Sequence, residues 1–311
     1  MQAAWDCLVV GAGPAGLSAA LYLARFHRRV LVLHDGTSRA LRIPRTHNVP
    51  GFPAGVAGPE LIERMTAHAC EYGAQVRRAE VVAAMRTDAG FELAARDGER
   101  FEAPSLILAT GSVLNQIALP QEAHEAAIRA GILRYCPICD GHEHSGQRIG
   151  VVGCDGQGAR EAMFLRTYSS DVTLVPRAYA ELAELDRAEL ARAGVRVVER
   201  SVAHFEPGDD EMRVHLQGDG PQGGVAPLVF DVVYPALGCH QRTELAQALG
   251  LPVNEDGAVD SRAPYGTTVA GLYCVGDIVD GLDQISVAMG HGAIAATRAH
   301  NYLRAREQEA Q

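Results

Sequence analysis

One segment near the start of the chain restricts the fold more than any other. Residues 7–36 read CLVVGAGPAGLSAALYLARFHRRVLVLHDG: an apolar run, a glycine-rich turn, a helical stretch and a second apolar run. The apolar runs are continuous rather than alternating, which is typical of parallel strands covered on both faces. A related segment, QRIGVVGCDGQGAREAMFLRTYSSDVTLV, occupies residues 147–175. Two such units predict an α/β protein with two dinucleotide-binding (Rossmann-like) domains.

The first glycine turn, residues 11–16, has the form GxGxxG between a strand and a helix. In this pattern Gly11 makes the turn, Gly13 lets a pyrophosphate approach the backbone, and Gly16 lets the helix pack on the strand. The helix begins around Pro14 and Ala15, so its N-terminus faces the phosphates. The turn therefore predicts a bound dinucleotide.

The acidic residue expected after the second strand is displaced by one position. His34 stands where a carboxylate often binds the ribose of the dinucleotide, and Asp35 follows it. Asp35 is therefore either a ribose ligand or only a turn residue, and the sequence leaves both interpretations open.

A second group of reactive side chains lies in residues 135–144, YCPICDGHEH. Cys136, Cys139, His142 and His144 are all possible zinc ligands. Zinc sites usually take their ligands from two separated pairs, whereas these four crowd into nine residues. We therefore predict no metal site.

The alternative is a redox-active disulfide. A CxxC motif that opens a helix places its first sulfur near backbone N–H groups, which lowers the thiol pKa and favours a nucleophile. Pro137 stiffens the loop between Cys136 and Cys139. Asp140 follows directly and can move protons as thiols become thiolates, although it can also be only a helix cap.

Composition excludes several classes of function. The net charge of −10 argues against nucleic acid as a partner, because phosphate neutralisation needs clustered cations. No run of 18 apolar residues is present, and the N-terminus has no recognisable export signal. The seven cysteines are scattered apart from the CxxC motif, so a structural disulfide framework is not expected. We predict a cytoplasmic protein without a membrane segment.

Three further motifs narrow the assignment. HNVPGFP lies at 47–53, LILATGS at 106–112 and GLYCVGDIVD at 271–280. Together with the first glycine turn and the position of the CxxC motif, they occur in the order found in the low-molecular-weight thioredoxin reductases. The chain resembles that family over essentially its whole length.

The resemblance implies an FAD enzyme with a discontinuous flavin domain at 1–113 and 238–311. Residues 114–237 would form the inserted NAD(P)H-binding-like domain that carries the CxxC motif. Asp277 would bind the ribityl chain of the flavin. The flavin site would comprise the first glycine turn and Asp35, Asn48, Thr110, Gly111, Gly276, Asp277, Gln284 and Ile285.

The resemblance also assigns roles to the redox residues. Cys139 would lie next to the flavin, Cys136 would exchange with the substrate, and Asp140 would be the general acid/base. The substrate would be a thioredoxin-like protein or a small disulfide or dithiol, and the enzyme would be a homodimer.

The second glycine turn departs from the family pattern. When the strand at 171–175 is aligned, Gly153 is the first glycine and Gly158 the last, so the middle glycine becomes Asp155. A carboxylate there would point at the pyrophosphate of NADPH. Gly156 lies next to it, so a shift of one residue in the alignment would remove this conflict.

The arginine cluster that would hold the 2′-phosphate of NADPH is also largely missing. The sequence PRAYAEL at 176–182 retains Arg177 alone. Pro176, Ala178 and Leu182 replace the other members, and no acidic residue suited to NADH appears. We therefore expect no tight binding of NADPH.

Three hypotheses remain. The first is an FAD enzyme that exchanges electrons with a dithiol and uses oxygen, ferredoxin or a second flavin instead of NADPH. The second is a conventional NADPH-dependent thioredoxin reductase, and the third is a non-catalytic flavin redox sensor. Oxygen-using relatives often carry His directly after CxxC, but Asp140 stands there. His291, which opens the last helix, is either a base or a packed helix residue.

Overall fold

The computed structural model describes residues 5–153, 156–176, 182–218, 226–260 and 266–309. The chain divides into two compact units, the first made of residues 1–113 and 240–311 and the second of residues 114–239. Among the described residues, no helix combines the length and apolar character needed to cross a membrane.

The chain begins in the first unit, passes through the second and returns to the first. In chain order they are β1 (Cys7–Val10), α1 (Pro14–Arg25), β2 (Val30–His34), a 3-10 helix (Arg39–Arg42), α2 (Gly58–Glu71), β3 (Gln75–Arg78), β4 (Val81–Arg86), β5 (Phe91–Ala95), β6 (Arg100–Ala103), β7 (Ser105–Leu108), β8 (Ser112–Leu114), α3 (Gln121–Ala130), α4 (Pro137–Asp140), β9 (Ile149–Val152), α5 (Gly156–Leu165), β10 (Val172–Val175), α6 (Glu184–Arg192), β11 (Arg196–Val197), β12 (Val202–Pro207), β13 (Met212–Leu216), β14 (Leu228–Phe230), β15 (Val232–Pro235), β16 (Cys239–Gln241), α7 (Glu244–Ala248), β17 (Leu272–Cys274) and α8 (Ile285–Glu309).

A parallel sheet with strand order β17-β7-β1-β2-β3 organises the first unit. Successive residues of β1 enter different cores: Leu8 and Val10 belong to one cluster, Cys7 and Val9 to the other. Burial on both faces explains why the strand sequences are apolar without alternation. Strands β4, β5 and β6 form a separate antiparallel sheet in the same unit.

The second unit repeats this plan on a smaller scale. Its parallel sheet has the order β11-β10-β9-β15, and β12-β13-β14 form an antiparallel sheet. Strands β9 and β10 are parallel, with Val152 opposite Val175, as Val10 of β1 lies opposite Leu33 of β2.

The first and last glycines of the two turns make corresponding contacts. Gly11 donates its N–H to Leu33 O at 2.8 Å, and Gly153 donates to Val175 O at 3.3 Å. In the first turn a Cβ on Gly16 would lie 1.9 Å from Gly11 O, and in the second a Cβ on Gly158 would lie 3.2 Å from the Cα of Gly153. The same spacing of five residues therefore connects the close-packed glycines of both turns.

Candidate active site

The CxxC motif forms a short disulfide loop in the second unit. Cys136 and Cys139 are disulfide-bonded and both half-buried. Cys136 precedes the single-turn helix α4, and the Cys139 N–H donates to Cys136 O at 2.9 Å. Pro137 is buried, whereas Ile138 between the cysteines is 47% exposed. The loop thus presents an apolar side chain to solvent beside a disulfide.

Asp140 is held by two residues that the sequence analysis did not select. Tyr234, the third residue of β15, donates its hydroxyl to Asp140 Oδ1 at 2.8 Å. The Nε of Arg134 lies 3.3 Å from Asp140 Oδ2. Burial raises the pKa of Asp140, and the contacts with Tyr234 and Arg134 offset only part of that rise. A carboxyl with a raised pKa can exchange protons nearer to neutral pH, as a general acid/base requires.

The two histidines beyond the CxxC motif occupy different surroundings. His142 is exposed, and His144 shares a hydrogen bond of 2.7 Å between its Nδ1 and Gln147 Oε1. The ring of His144 also lies edge-on to Tyr234, with the ring centroids 6.1 Å apart. His144 therefore contacts Tyr234, the residue that orients Asp140. The sulfurs of Cys136 and Cys139 are bonded to each other in the disulfide.

Changing Tyr234 to phenylalanine should alter proton transfer rather than abolish it. The hydroxyl of Tyr234 lowers the pKa of Asp140, so its removal should raise that pKa further. The limb of the pH–rate profile that reports Asp140 should then move to higher pH. The measurement is dithiol-dependent turnover across pH, with Tyr273→Phe, a buried tyrosine of the first unit, as the matched control. An unchanged profile would show that Tyr234 does not act on Asp140.

The raised pKa of Asp140 also predicts how stability depends on pH. In the unfolded chain this carboxyl ionises near its ordinary value of 3.8, whereas the folded protein retains the proton to higher pH. The contribution of Asp140 to stability is therefore fully present below pH 3.8, and it is lost as the pH rises through the folded-state pKa. We expect Asp140→Asn to unfold at the same denaturant concentration as wild type near pH 4 and at a higher one at neutral pH. A stability difference that does not vary with pH would contradict this.

The first glycine turn has the geometry of a phosphate cradle. Gly11 has φ = +110°, and a Cβ there would lie 2.1 Å from Ala109 O. Gly13 is the extended N-cap of α1, without a side-chain cap, and Pro14 is the first helical residue. The next N–H groups, of Ala15 and Gly16, belong to the first turn of a helix, where backbone donors lack intrahelical partners. These residues fit a pyrophosphate.

Asp35 lies in a turn but keeps capacity to accept another hydrogen bond. Its carboxylate accepts from the Thr37 N–H at 2.8 Å, the Thr37 hydroxyl at 2.7 Å and Arg242 Nη1 at 3.1 Å. Partial burial acts to raise the pKa of Asp35, but the hydrogen bonds from Thr37 and Arg242 outweigh it and the pKa is lowered. A carboxylate offers about four acceptor sites, so a ribose hydroxyl can still bind.

Two of the predicted flavin residues from opposite ends of the chain meet in the first unit. Asn48 Nδ2 donates to Gln284 Oε1 at 2.9 Å, and Asn48 Oδ1 accepts from the Thr46 hydroxyl at 2.8 Å. Ile285 follows Gln284 as the first residue of α8. The amide of Asn48 is thus oriented by neighbours on both sides.

Thr110 and Gly111 follow β7 and connect to the segment after β16. The Thr110 hydroxyl donates to Arg242 O at 2.6 Å, and the Arg242 N–H donates to Gly111 O at 2.9 Å. Gly111 has φ = +70°, and a Cβ there would meet no atom within 4 Å. Arg242 therefore joins this turn to Asp35, a connection that no sequence motif indicates.

Asp277 lies in a charged group with Arg39 and Asp283. The Nη1 of Arg39 is 3.1 Å from Asp277 Oδ2 and 2.9 Å from Asp283 Oδ2. Burial, followed by repulsion from Asp277, raises the pKa of Asp283 to about 6, although Arg39 acts in the opposite direction. Asp277 was predicted from the sequence, but Arg39, from a distant segment, and Asp283, six residues after Asp277, were not.

His291 is a packed residue of α8. It is 8% exposed, and its Nδ1 accepts the N–H of Gly276 at 3.3 Å. Gly276 has φ = +76°, and a Cβ there would lie 3.0 Å from the Cβ of Ala15, so this turn comes close to the start of α1. Burial lowers the pKa of His291, which favours the neutral ring. The packed-residue interpretation accounts for these contacts, and the role as a base stays a prediction.

Comparison with known proteins agrees with this arrangement. The family profile for pyridine nucleotide-disulphide oxidoreductases matches residues 5–292. A thioredoxin reductase from Mycolicibacterium smegmatis is 30% identical over 311 residues, which are 97% of this chain and 97% of that protein. The crystal structure of HlmI has a TM-score of 0.88 at 30% identity and covers 100% of this chain and 95% of its own. A thioredoxin reductase structure from Streptococcus pyogenes MGAS5005 has a TM-score of 0.89 at 26% identity, covering 98% and 100% of the two chains.

The fold and the site together define a flavin-dependent enzyme of disulfide chemistry. The chain belongs to the pyridine nucleotide-disulphide oxidoreductase family. It is an FAD-dependent disulfide oxidoreductase, and the predicted α/β fold class with two Rossmann-like domains is confirmed. The predicted thioredoxin reductase-like resemblance is confirmed as well.

Proposed function

We propose that this enzyme exchanges two electrons between the Cys136–Cys139 pair and FAD without tight use of NADPH. FAD would be held by the first unit through the glycine turn at 11–16, the Asn48–Gln284 pair and Asp277. When bound, FAD supplies a two-electron acceptor and donor. The disulfide supports this proposal most directly, because Cys136 and Cys139 are only half-buried and the exposed Ile138 lies between them.

The residues of the chain divide the exchange into steps. A substrate thiolate attacks the sulfur of Cys136, the Cys136–Cys139 bond breaks, and Cys139 leaves as a thiolate. The second substrate thiol, as its thiolate, then attacks the mixed disulfide, which releases an oxidised substrate and leaves a dithiol on the enzyme. Asp140, oriented by Tyr234 and Arg134, takes or returns the proton that each thiol loses or gains. The dithiol is then oxidised to the disulfide again, and FAD would accept its two electrons.

The position of the second glycine turn supports weak use of NADPH. Gly153 and Gly158 pack against each other as Gly11 and Gly16 do, and each pair is five residues apart. Counting from these glycines makes position 155 the counterpart of Gly13, so a shift of one residue is disfavoured. Asp155 itself lies outside the described residues.

The remaining positions of the second unit provide little for a 2′-phosphate. Pro176 and Leu182 are buried, and Leu182 packs in the apolar core, whereas Arg177 and Ala178 lie outside the described residues. Each missing charge-assisted hydrogen bond is worth about 1.5–3 kcal/mol. A loss of several kcal/mol corresponds to roughly a thousandfold in affinity.

One positive and one negative side chain lie near Gly156, the first described residue of α5. A Cβ on Gly156 would meet Arg160 Nη1 at 3.1 Å and Asp186 Oδ2 at 3.6 Å. One guanidinium and one carboxylate therefore lie at the helix end where the pyrophosphate would bind. The guanidinium favours a phosphate at this helix end, whereas the carboxylate opposes it.

Anaerobic reduction with dithiothreitol tests the proposed electron exchange. The oxidised enzyme should lose its flavin absorbance on addition of the dithiol, to the level reached with dithionite. Separate addition of oxygen, an oxidised ferredoxin or an oxidised thioredoxin to the reduced enzyme should then identify the acceptor by the return of that absorbance. Failure of the dithiol to reduce the flavin would contradict the proposal.

A conventional NADPH-dependent thioredoxin reductase is the second candidate. The relative from M. smegmatis is named a thioredoxin reductase, and the CxxC–Asp sequence is intact in this chain. We propose a thioredoxin-like protein or a small disulfide or dithiol as the partner, and a homodimer on the resemblance to the family. A cytoplasmic location stays a prediction.

A further inference from the structure

A group of three metal-binding side chains lies on the antiparallel sheet of the second unit. His204 and Glu206 belong to β12 and His215 to β13. One ligand atom from each lies within 4.8 Å of the other two. Neither the redox centre nor the flavin residues include any of them, and no sequence motif marks them.

The strand register explains why the three side chains meet. His204 lies directly opposite His215 in the antiparallel ladder, and Glu206 lies two residues beyond His204. Residues two apart in a strand share a face, so all three side chains project from the same side of the sheet. The opposite face is apolar, with Met212 and Val214 buried in the core.

The existing contacts already bring the donors together. The rings of His204 and His215 are stacked with centroids 4.1 Å apart and planes 10° from parallel. His215 Nε2 lies 2.7 Å from Glu206 Oε2. His204 and Glu206 are exposed, so a metal ion can reach them from solvent.

We propose that His204, Glu206 and His215 form a binding site for one divalent transition-metal ion such as Zn²⁺. Two imidazole nitrogens and one carboxylate oxygen are a donor set that zinc and copper prefer and magnesium does not. Tetrahedral zinc holds its ligand atoms about 3.3 Å apart. Rotation of exposed side chains can close the present separations while the ladder keeps the two strands fixed.

One neighbouring cation opposes metal binding. Arg213 Nη1 is 3.1 Å from Glu206 Oε1, and its Nη2 is 2.8 Å from Glu211 Oε1. A metal ion must therefore compete with a guanidinium for the same carboxylate. Removing Arg213 should strengthen metal binding, whereas a site that used other residues would not respond in this way.

Calorimetric titration of the oxidised, metal-free enzyme with Zn²⁺ tests the site. In that state the disulfide occupies both cysteines of the CxxC motif, so they cannot bind zinc. Wild type should take up one Zn²⁺ per chain at this site and should not respond to Mg²⁺. His204→Ala and His215→Ala should each weaken binding by at least about tenfold, since even residues that only support a ligand cost that much. Arg213→Gln should strengthen it.

His68→Ala is the matched control, because it removes one exposed histidine from helix α2 of the first unit. It should bind Zn²⁺ as wild type does. The flavin spectrum and the thermal midpoint of each metal-free variant show that it is folded. Absence of saturable zinc binding in wild type, or wild-type affinity in either histidine variant, would overturn the proposal. This result is independent of turnover, so it leaves the proposed redox function untouched.

Discussion

Replacing Cys139 by serine should abolish reduction of the flavin by dithiothreitol. Cys139 is one half of the only disulfide among the described residues, and without it no dithiol can form on the enzyme to pass electrons on. We expect the rate to fall by at least about a thousandfold, as for other residues that act as one catalytic unit. The measurement is anaerobic stopped-flow absorbance of the flavin, with dithionite showing that the flavin is intact.

Cys136→Ser should cause a loss of similar size, because the two cysteines act together. Cys70→Ser is the matched control, since Cys70 is an exposed cysteine of the first unit. It should reduce at the wild-type rate. If Cys136→Ser and Cys139→Ser both retain that rate, the pair is not the redox centre.

Rebuilding the pyrophosphate site should raise the affinity for NADPH by more than about tenfold. The double variant Asp155→Gly and Ala178→Arg removes a carboxylate from the counterpart of Gly13 and restores one cation for the 2′-phosphate. An arginine at position 182 is unsuitable, because Leu182 is 2% exposed and a charge there would be buried in the core. The measurement is NADPH binding by calorimetry.

Asp210→Gly is the control for charge, because it removes an exposed carboxylate elsewhere in the second unit. It should leave NADPH affinity unchanged. If the double variant binds no better than wild type, either position 155 is not the counterpart of Gly13 or the phosphates bind through other residues. In the first case, the register inferred from Gly153 and Gly158 would be wrong.

The sequence predicted those parts of the site that depend on local backbone geometry. Gly11 and Gly16 are required where a Cβ would overlap backbone atoms, and such requirements appear as fixed spacings. The CxxC motif is equally local, because four residues place both sulfurs. The continuous apolar strands predicted the parallel sheet for the same reason. In a strand buried on both faces every residue is apolar, so the pattern is visible in the local sequence.

The parts that escaped prediction depend on contacts between distant segments. Tyr234 reaches Asp140 across 94 residues, and Arg39 reaches Asp277 across 238. Each of these side chains is an ordinary member of its own segment, so only the folded arrangement identifies it. The prediction of no metal site considered the four candidate ligands of residues 135–144. The candidate ligands His204 and His215 meet through a cross-strand register that the sequence does not display.

Anaerobic titration of the wild-type enzyme with NADPH tests the central proposal most directly. The flavin absorbance is followed while NADPH is added from micromolar to millimolar concentration, and dithiothreitol is then added to the same sample. We expect little or no reduction by NADPH, followed by full reduction by the dithiol through Cys136 and Cys139. Rapid reduction by micromolar NADPH would contradict it and would identify a conventional NADPH-dependent reductase.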